Sequence, residues 1–277
     1  ESFLKEHGYT HQVLVRLKQT DHGILRNGIW AYTNERLCKD DLITVQIVEN
    51  ECSDNISPVN LPLDIAYEDD DIIVINKPFD MPAHPSAGNH DNTLANALMY
   101  YYGSQNKPFV YRCINRLDRD TTGLTIVAKH ALAGGILGNA VAKRAIHRTY
   151  YAVCSGCTPA YMRISAPIAR KDASTIERCV DFKRGENAVT DFIRIKYNPD
   201  NNLSLVKLRL LTGRTHQIRV HMKYIGFPLI GDFLYNPDYT YISRQALHSG
   251  RLVFTHPVTG QKMNLISDIP SDMKSLF

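Results

Sequence analysis

Asn115-Arg116-Leu117-Asp118-Arg119-Asp120-Thr121-Thr122-Gly123-Leu124, followed at once by Thr125-Ile126-Val127-Ala128, is the stretch on which the reading of this chain turns. A charged segment passes through a Thr-Thr-Gly turn into an uninterrupted apolar run, the pattern of a buried strand. Working outward, further strands are expected at 71–76, 149–154, 188–197, 203–211 and 251–255, and helices at 92–101, 130–143 and 214–225. Strands outnumber helices and fall in clusters, without a regular strand–helix alternation. The predicted class is therefore α+β, with a mixed, mostly antiparallel central sheet flanked by helices and loops.

Residues 1–52 read as a small separate α+β unit. An apolar-periodic helix surrounds Val13-Leu14-Val15-Arg16-Leu17, and an alternating strand ends near Val48. Residues 53–64, with Pro58 and Pro62 among polar turn formers, read as a linker. The main domain is expected over 65–277, its first strong strand being Asp71-Ile-Ile-Val-Ile-Asn76, stopped by Lys77-Pro78.

Composition narrows the class of function. Apolar residues make up 44% of the 277 and charged residues 22%, ordinary values for a chain that folds in water. An uncharged apolar run of about 18 residues, the signature of a membrane helix, does not occur. The first residues carry no signal-peptide pattern, so a cytoplasmic location and reduced cysteines are expected. They also lack an initiator Met, as if the numbering begins inside a longer encoded chain. Cys154-Ser-Gly-Cys157 has a metal-motif spacing but lacks a second ligand pair, so no metal is expected. Charge is distributed unevenly. Residues 1–71 hold 6 Lys/Arg against 14 Asp/Glu, and the remainder 26 against 14, which points the larger part at a polyanion.

Asp118 lies between Arg116 and Arg119, and an opposite charge nearby favours the ionised carboxylate that a nucleophile or base requires. Capping the turn is the commoner role for such an aspartate, and spacing alone leaves both open. Lys77-Pro78 with His84-Pro85 forms a loop after a strand, a common place for function. His147-Arg-Thr-Tyr150-Tyr151 enters a strand, where adjacent tyrosines point to opposite faces. Thr212-Gly-Arg-Thr-His-Gln-Ile-Arg-Val-His-Met-Lys223 gathers Arg214, His216, Gln217 and Arg219, a donor density suited to phosphate contacts. His216 and His221 are five apart, the wrong spacing for a metal pair on one helical face.

In combination these segments resemble the RluA-type pseudouridine synthases. The resemblance rests on Val74-Ile-Asn-Lys-Pro with His84-Pro, and on Arg116-Leu-Asp118 with Thr-Gly-Leu. It continues through Gly213-Arg-Thr-His-Gln-Ile-Arg-Val-His, Gly226-x-Pro-Leu-x-Gly-Asp232 and Leu247-His with Phe-Thr-His-Pro, in family order over roughly 65–262. It implies the pseudouridine synthase fold, with Asp118 catalytic, Tyr150 beside the target base and Arg219 paired with the carboxylate. Arg116 is implied to take part in flipping the uridine. Lys77, His84, Arg119, Arg214, His216 and Gln217 are expected to contact substrate. Asn115 stands where the family often has His, and Thr122 where Ser is usual. Residues 1–50 resemble a small ribosomal-protein-type RNA-binding domain, but 6 basic against 7 acidic residues suit phosphate poorly.

The implied activity is isomerisation of uridine in structured RNA by a monomer with no cofactor, metal or membrane. Large-subunit ribosomal RNA is the favoured target and transfer RNA the alternative. Asp118 would act as nucleophile or as base. Two other readings stand against it. Asp118-x-Asp120-x-Thr122 fits a magnesium-dependent phosphotransferase loop, but Arg112-Cys-Ile-Asn-Arg-Leu117 replaces the apolar strand that must precede it. A non-catalytic RNA-binding module would carry a depleted site, which this chain does not.

Overall fold

The computed structural model describes residues 1–86, 88–172 and 176–277. Helices α1 (Ser2–Glu6) and α2 (His11–Gln19) precede a three-stranded sheet of β1 (Ile24–Arg26), β2 (Ile29–Trp30) and β3 (Ile43–Val45), in the order β2-β1-β3. The Thr10 hydroxyl accepts from the Val13 N–H and caps α2. One face of α2 buries Val13, Leu14 and Leu17 against Leu4, Ile24, Ala31 and Leu132 of the main body. Glu49 fastens this unit down, accepting from the Ala131 N–H at 2.6 Å and from Arg112 Nη2 at 2.9 Å.

The stretch expected as a linker lies along the main body. The Ser53 N–H donates to the Phe109 carbonyl at 3.2 Å, and Asn96 Nδ2 to the Ser57 carbonyl at 2.7 Å. Ile56, Leu61 and Leu63 pack on the core beneath. Its prolines keep it out of the sheet while its apolar side chains hold it in place.

The main body contains β4 (Ile65–Glu68), β5 (Ile72–Lys77), α3 (Leu94–Gly103), β6 (Arg112–Cys113), β7 (Thr122–Ala128) and α4 (Ala131–Ala142). There follow β8 (His147–Ser155), β9 (Tyr161–Ser165), β10 (Ile168–Arg170), β11 (Arg178–Val180), β12 (Val189–Asn198) and β13 (Leu203–Leu210). Then come α5 (Gln217–Tyr224), β14 (Leu247–Thr255), β15 (Lys262–Ile266) and α6 (Ser271–Lys274). Ten strands form one sheet along the path β4-β5-β7-β14-β8-β13-β12-β9, with β15 also on β14 and β6 on β7. Among the described strands of this sheet, only β7 and β14 pair in parallel. The fold is thus mixed and mostly antiparallel, as the sequence implies.

Helices cover both faces near β5, so Ile72 to Ile75 are all buried and the strand reads as a continuous apolar run. Ile72 and Val74 meet Ala133 and Leu137 of α4, whereas Ile73 and Ile75 meet Leu94 and Leu98 of α3. Farther along, Tyr150, Ala152, Phe192, Val206 and Leu208 pack against Ile218 and Met222 of α5.

Helix α5 starts at Gln217, three residues later than the donor-rich segment suggests. The Arg214 N–H turns back to Gln217 Oε1 at 2.9 Å, and His216 adopts a left-handed φ of 56°. Gly123 is closely packed against β14. Its φ is +107°, and a Cβ there would sit 2.3 Å from the Ser249 carbonyl oxygen. Gly123→Ala is expected to lose about 3 kcal/mol or more of stability, measured by urea unfolding, because it combines backbone strain with a backbone clash.

Candidate active site

The turn between β6 and β7 is stitched to the sheet before it reaches Asp118. Asn115 is buried, and its Oδ1 accepts from the Ile126 N–H at 2.8 Å while its carbonyl accepts from the Thr125 hydroxyl at 2.6 Å. The backbone closes the turn itself, with the Thr121 N–H on the Asp118 carbonyl at 3.1 Å. The Asp118 side chain is therefore released from capping. It stands at the floor of a cleft of about 1290 Å³ with 30% of its surface accessible.

Arg219, from α5, reaches this carboxylate. Its Nη1 donates to Asp118 Oδ2 at 2.8 Å, while Nε and Nη2 donate to Asp232 Oδ2 and Oδ1 at 2.7 and 2.8 Å. The guanidinium carbon lies 5.0 Å from the centre of the Tyr235 ring and 5.4 Å from that of Phe233. Only 1% of Arg219 is exposed. Burial alone would raise the Asp118 carboxyl pKa. The charges of Arg219, Lys77 and a protonated His216, with the Arg219 hydrogen bond, outweigh it and hold the group below its usual 3.8. Asp118 Oδ1 has no hydrogen-bond partner among the described residues.

His216, at the start of α5, places Nε2 3.9 Å from Asp118 Oδ2, while its Nδ1 lies 3.0 Å from the Tyr235 hydroxyl. Burial lowers its pKa against the pull of Asp118, so the ring is neutral at neutral pH. Tyr150 lines the cleft from β8 with its hydroxyl free of any described partner, and Tyr151 faces the other way into a separate core. His84 lines the cleft edge-on to Tyr111. Arg116 and Arg214 lie at the exposed rim, the latter on Glu186. Arg144 and Arg209, exposed, and Arg148 and Arg178, half-buried, also line the cleft, and Arg116, Arg144, Arg148 and Arg209 have no ion-pair partner among the described residues.

Three residues expected to contact substrate have their polar groups engaged within the protein, although Gln217 also lines the cleft. Lys77 is 1% exposed, and its Nζ donates to the Pro78 and Arg119 carbonyls at 2.7 and 2.8 Å, bracing the turn from beneath. Burial pulls its pKa down to about 7. Arg119 turns outward, with Nε and Nη2 on the two oxygens of Asp120 at 3.0 Å each. Asp120 is thereby a partner of Arg119 and takes no backbone cap among the described residues. Gln217 is buried with both ends of its amide committed, accepting from Thr212 and Arg214 and donating to Val189 and Thr190. Planar hydrogen-bonding residues suit phosphate and backbone equally well, so sequence could not separate these roles.

Asp232, Tyr235 and the rim arginines on other strands were missed. Asp232 appears in the sequence only as the last residue of Gly226-x-Pro-Leu-x-Gly-Asp232, with nothing to show that it grips Arg219. A carboxylate–imidazole cluster was missed too, since Asp69, Asp71 and His256 converge within 4.8 Å from positions far apart in the chain. Its groups bind each other and the backbone. His256 Nδ1 accepts from the Val258 and Thr259 N–H groups, and Nε2 meets Asp69 at 2.8 Å.

A sequence profile of the family described as RNA pseudouridylate synthase matches residues 71–224. The chain is 38% identical to the uncharacterized RNA pseudouridine synthase YjbO of Bacillus subtilis (strain 168), over 100% of this chain and 97% of that one. It is 41% identical to ribosomal large subunit pseudouridine synthase D of Haemophilus influenzae, over 83% of this chain and 75% of that one. Among solved structures, human RNA pseudouridylate synthase domain containing 1 superposes with a TM-score of 0.63 at 26% identity, covering 75% of this chain and 83% of the other. With the motifs in order and matches of this extent, the chain belongs to the RluA-type RNA pseudouridine synthases, isomerases that convert uridine in RNA to pseudouridine.

Proposed function

We propose that Asp118 is the reacting carboxylate, acting on a uridine turned out of its RNA helix into the cleft. One observation carries the reading. Arg219 occupies one oxygen of Asp118 and favours the ionised group, while the other oxygen has no hydrogen-bond partner among the described residues and the side chain, 30% accessible, lines the cleft. Whether that oxygen attacks C1′ or removes the C2′ proton, it must be ionised and unblocked.

Turning out a stacked base costs a few kcal/mol. Arg116, exposed at the rim and unpaired, is placed to fill the vacated space and offset part of that cost. Tyr150 is placed to stack on the extruded uracil. Arg144, Arg148 and Arg209 flank the same opening and suit the backbone phosphates on either side. The steps call on no metal or organic cofactor. Large-subunit ribosomal RNA is the favoured substrate, because relatives that match most of the chain bear that name.

Asp118→Asn should lower tritium release from carbon-5-labelled uridine in RNA by about 10³-fold or more. Wild-type turnover by that variant would overturn the assignment. Arg219→Gln removes a positive charge and a donor from the ionised form, leaving Lys77 and His216 alone to oppose desolvation. The acid limb of kcat/KM should therefore move up by about 1–3 pH units, and an unmoved limb would count against the pairing. RNA affinity should fall with salt at a log–log slope of about −3 or steeper, given the unpaired rim arginines.

A further inference from the structure

The hydrogen bonds behind His216 have a direction. The Arg178 backbone N–H donates to Tyr235 Oη at 2.9 Å, so that oxygen acts as an acceptor there. Tyr235 is 5% exposed, and its own hydroxyl proton needs an acceptor. Among the described residues the one within reach is His216 Nδ1, at 3.0 Å. A ring nitrogen that accepts carries no proton, so the neutral imidazole keeps its proton on Nε2. That N–H faces Asp118 Oδ2 across 3.9 Å, too far for a hydrogen bond. The side chain makes no cap to its own helix, although His216 accepts a left-handed φ of 56° at the start of α5. The ring is thus a fixed donor beside the carboxylate, with a gap before it and no present acceptor.

The chemistry creates an acceptor in that place. When the C1′–N1 bond opens, its electron pair goes into the uracil ring and charge spreads to N1 and the carbonyl oxygens. This holds whether Asp118 adds to C1′ or takes the C2′ proton. The detached anion then turns and C5 bonds to C1′, as the Asp118–C1′ ester breaks or as Asp118 returns its proton to C2′; C5 then gives its proton to solvent and N1 takes one up. Arg219 is already aimed at two carboxylates. An imidazolium beside Asp118 would pair with it and blunt it, whereas a neutral N–H stabilises the anion without that loss.

Resting on the assignment of Asp118, we propose that His216, held by Tyr235 in its Nε2–H tautomer, donates a hydrogen bond to the uracil oxygen on which charge gathers as the glycosidic bond opens. His216 is then a catalytic residue and Tyr235 a positioning residue.

Two substitutions separate this from a structural role. Glutamine can place an N–H near the position of Nε2, and asparagine only near that of Nδ1. Asparagine, however, tolerates a left-handed backbone better. In tritium release from bulk labelled RNA of cells lacking the gene, His216→Ala and His216→Asn should lose about 100-fold in kcat with little change in KM, and His216→Gln about tenfold less. Asparagine outperforming glutamine would overturn the proposal, as would a loss confined to KM. Nitrogen NMR of labelled histidine in the wild type should show the Nε2–H form at neutral pH, mixing with the Nδ1–H form in Tyr235→Phe. An Nδ1–H wild type would overturn it whatever the kinetics. Turnover retained in Asp118→Asn would refute the carboxylate assignment while leaving the tautomer measurement intact, so the two failures are distinguishable.

Discussion

A single desolvated guanidinium organises this protein's cleft. Taking Arg219 out of water costs several kcal/mol unless its donors are met, and two carboxylates and two aromatic faces meet them. The two carboxylates are not equivalent. Asp232 is fully buried, uses both oxygens on Arg219, and accepts the Leu234 and Tyr235 N–H groups as well. It is a fixed anion. Asp118 gives Arg219 one oxygen and keeps the other, so the same cation anchors one acid and poises the other. The turn carrying Asp232 also carries Tyr235, and one short segment orients both groups that face Asp118.

Charge counts alone describe the surface poorly. The small N-terminal unit has basic residues, but Lys5 and Lys18 lie on Glu1, Arg16 on Glu51 and Arg26 near Glu35 and Asp41, so most of its cations are answered from within. Around the cleft Arg214 is held by Glu186, but Arg116, Arg144, Arg148 and Arg209 have no carboxylate partner among the described residues. A polyanion meets free charge there and neutralised charge on the small unit.

The parts of the fold legible in sequence were those set by local pattern. The unbroken apolar run Ile72 to Ile75 reads directly as a strand, and the apolar stretch at 130–143 as a helix. The start of α5 was misread because His216 takes a backbone conformation that its residue type does not announce. Lys77 and Gln217 look like ligands for phosphate, yet burial turns their donors onto backbone carbonyls and, for Gln217, the Thr190 hydroxyl as well. The grip of Asp232 on Arg219 and the link from Tyr235 to His216 arise from tertiary geometry, which spacing along the chain does not encode. The family motifs converge on the cleft without indicating which groups hold Asp118 and His216 in place.

The position of β14 has a consequence for how the molecule is made. Residues 247–255 lie in the middle of the great sheet, with β7 on one side and β8 on the other. During synthesis the strands on either side emerge well before this one does. Two half-sheets must therefore wait, each with an open edge, until a late segment inserts between them. Such long-range pairing slows folding and leaves edges exposed in the interval. Asp118 lies on one side of that seam and Tyr150 on the other, so the cleft is completed only when the seam closes.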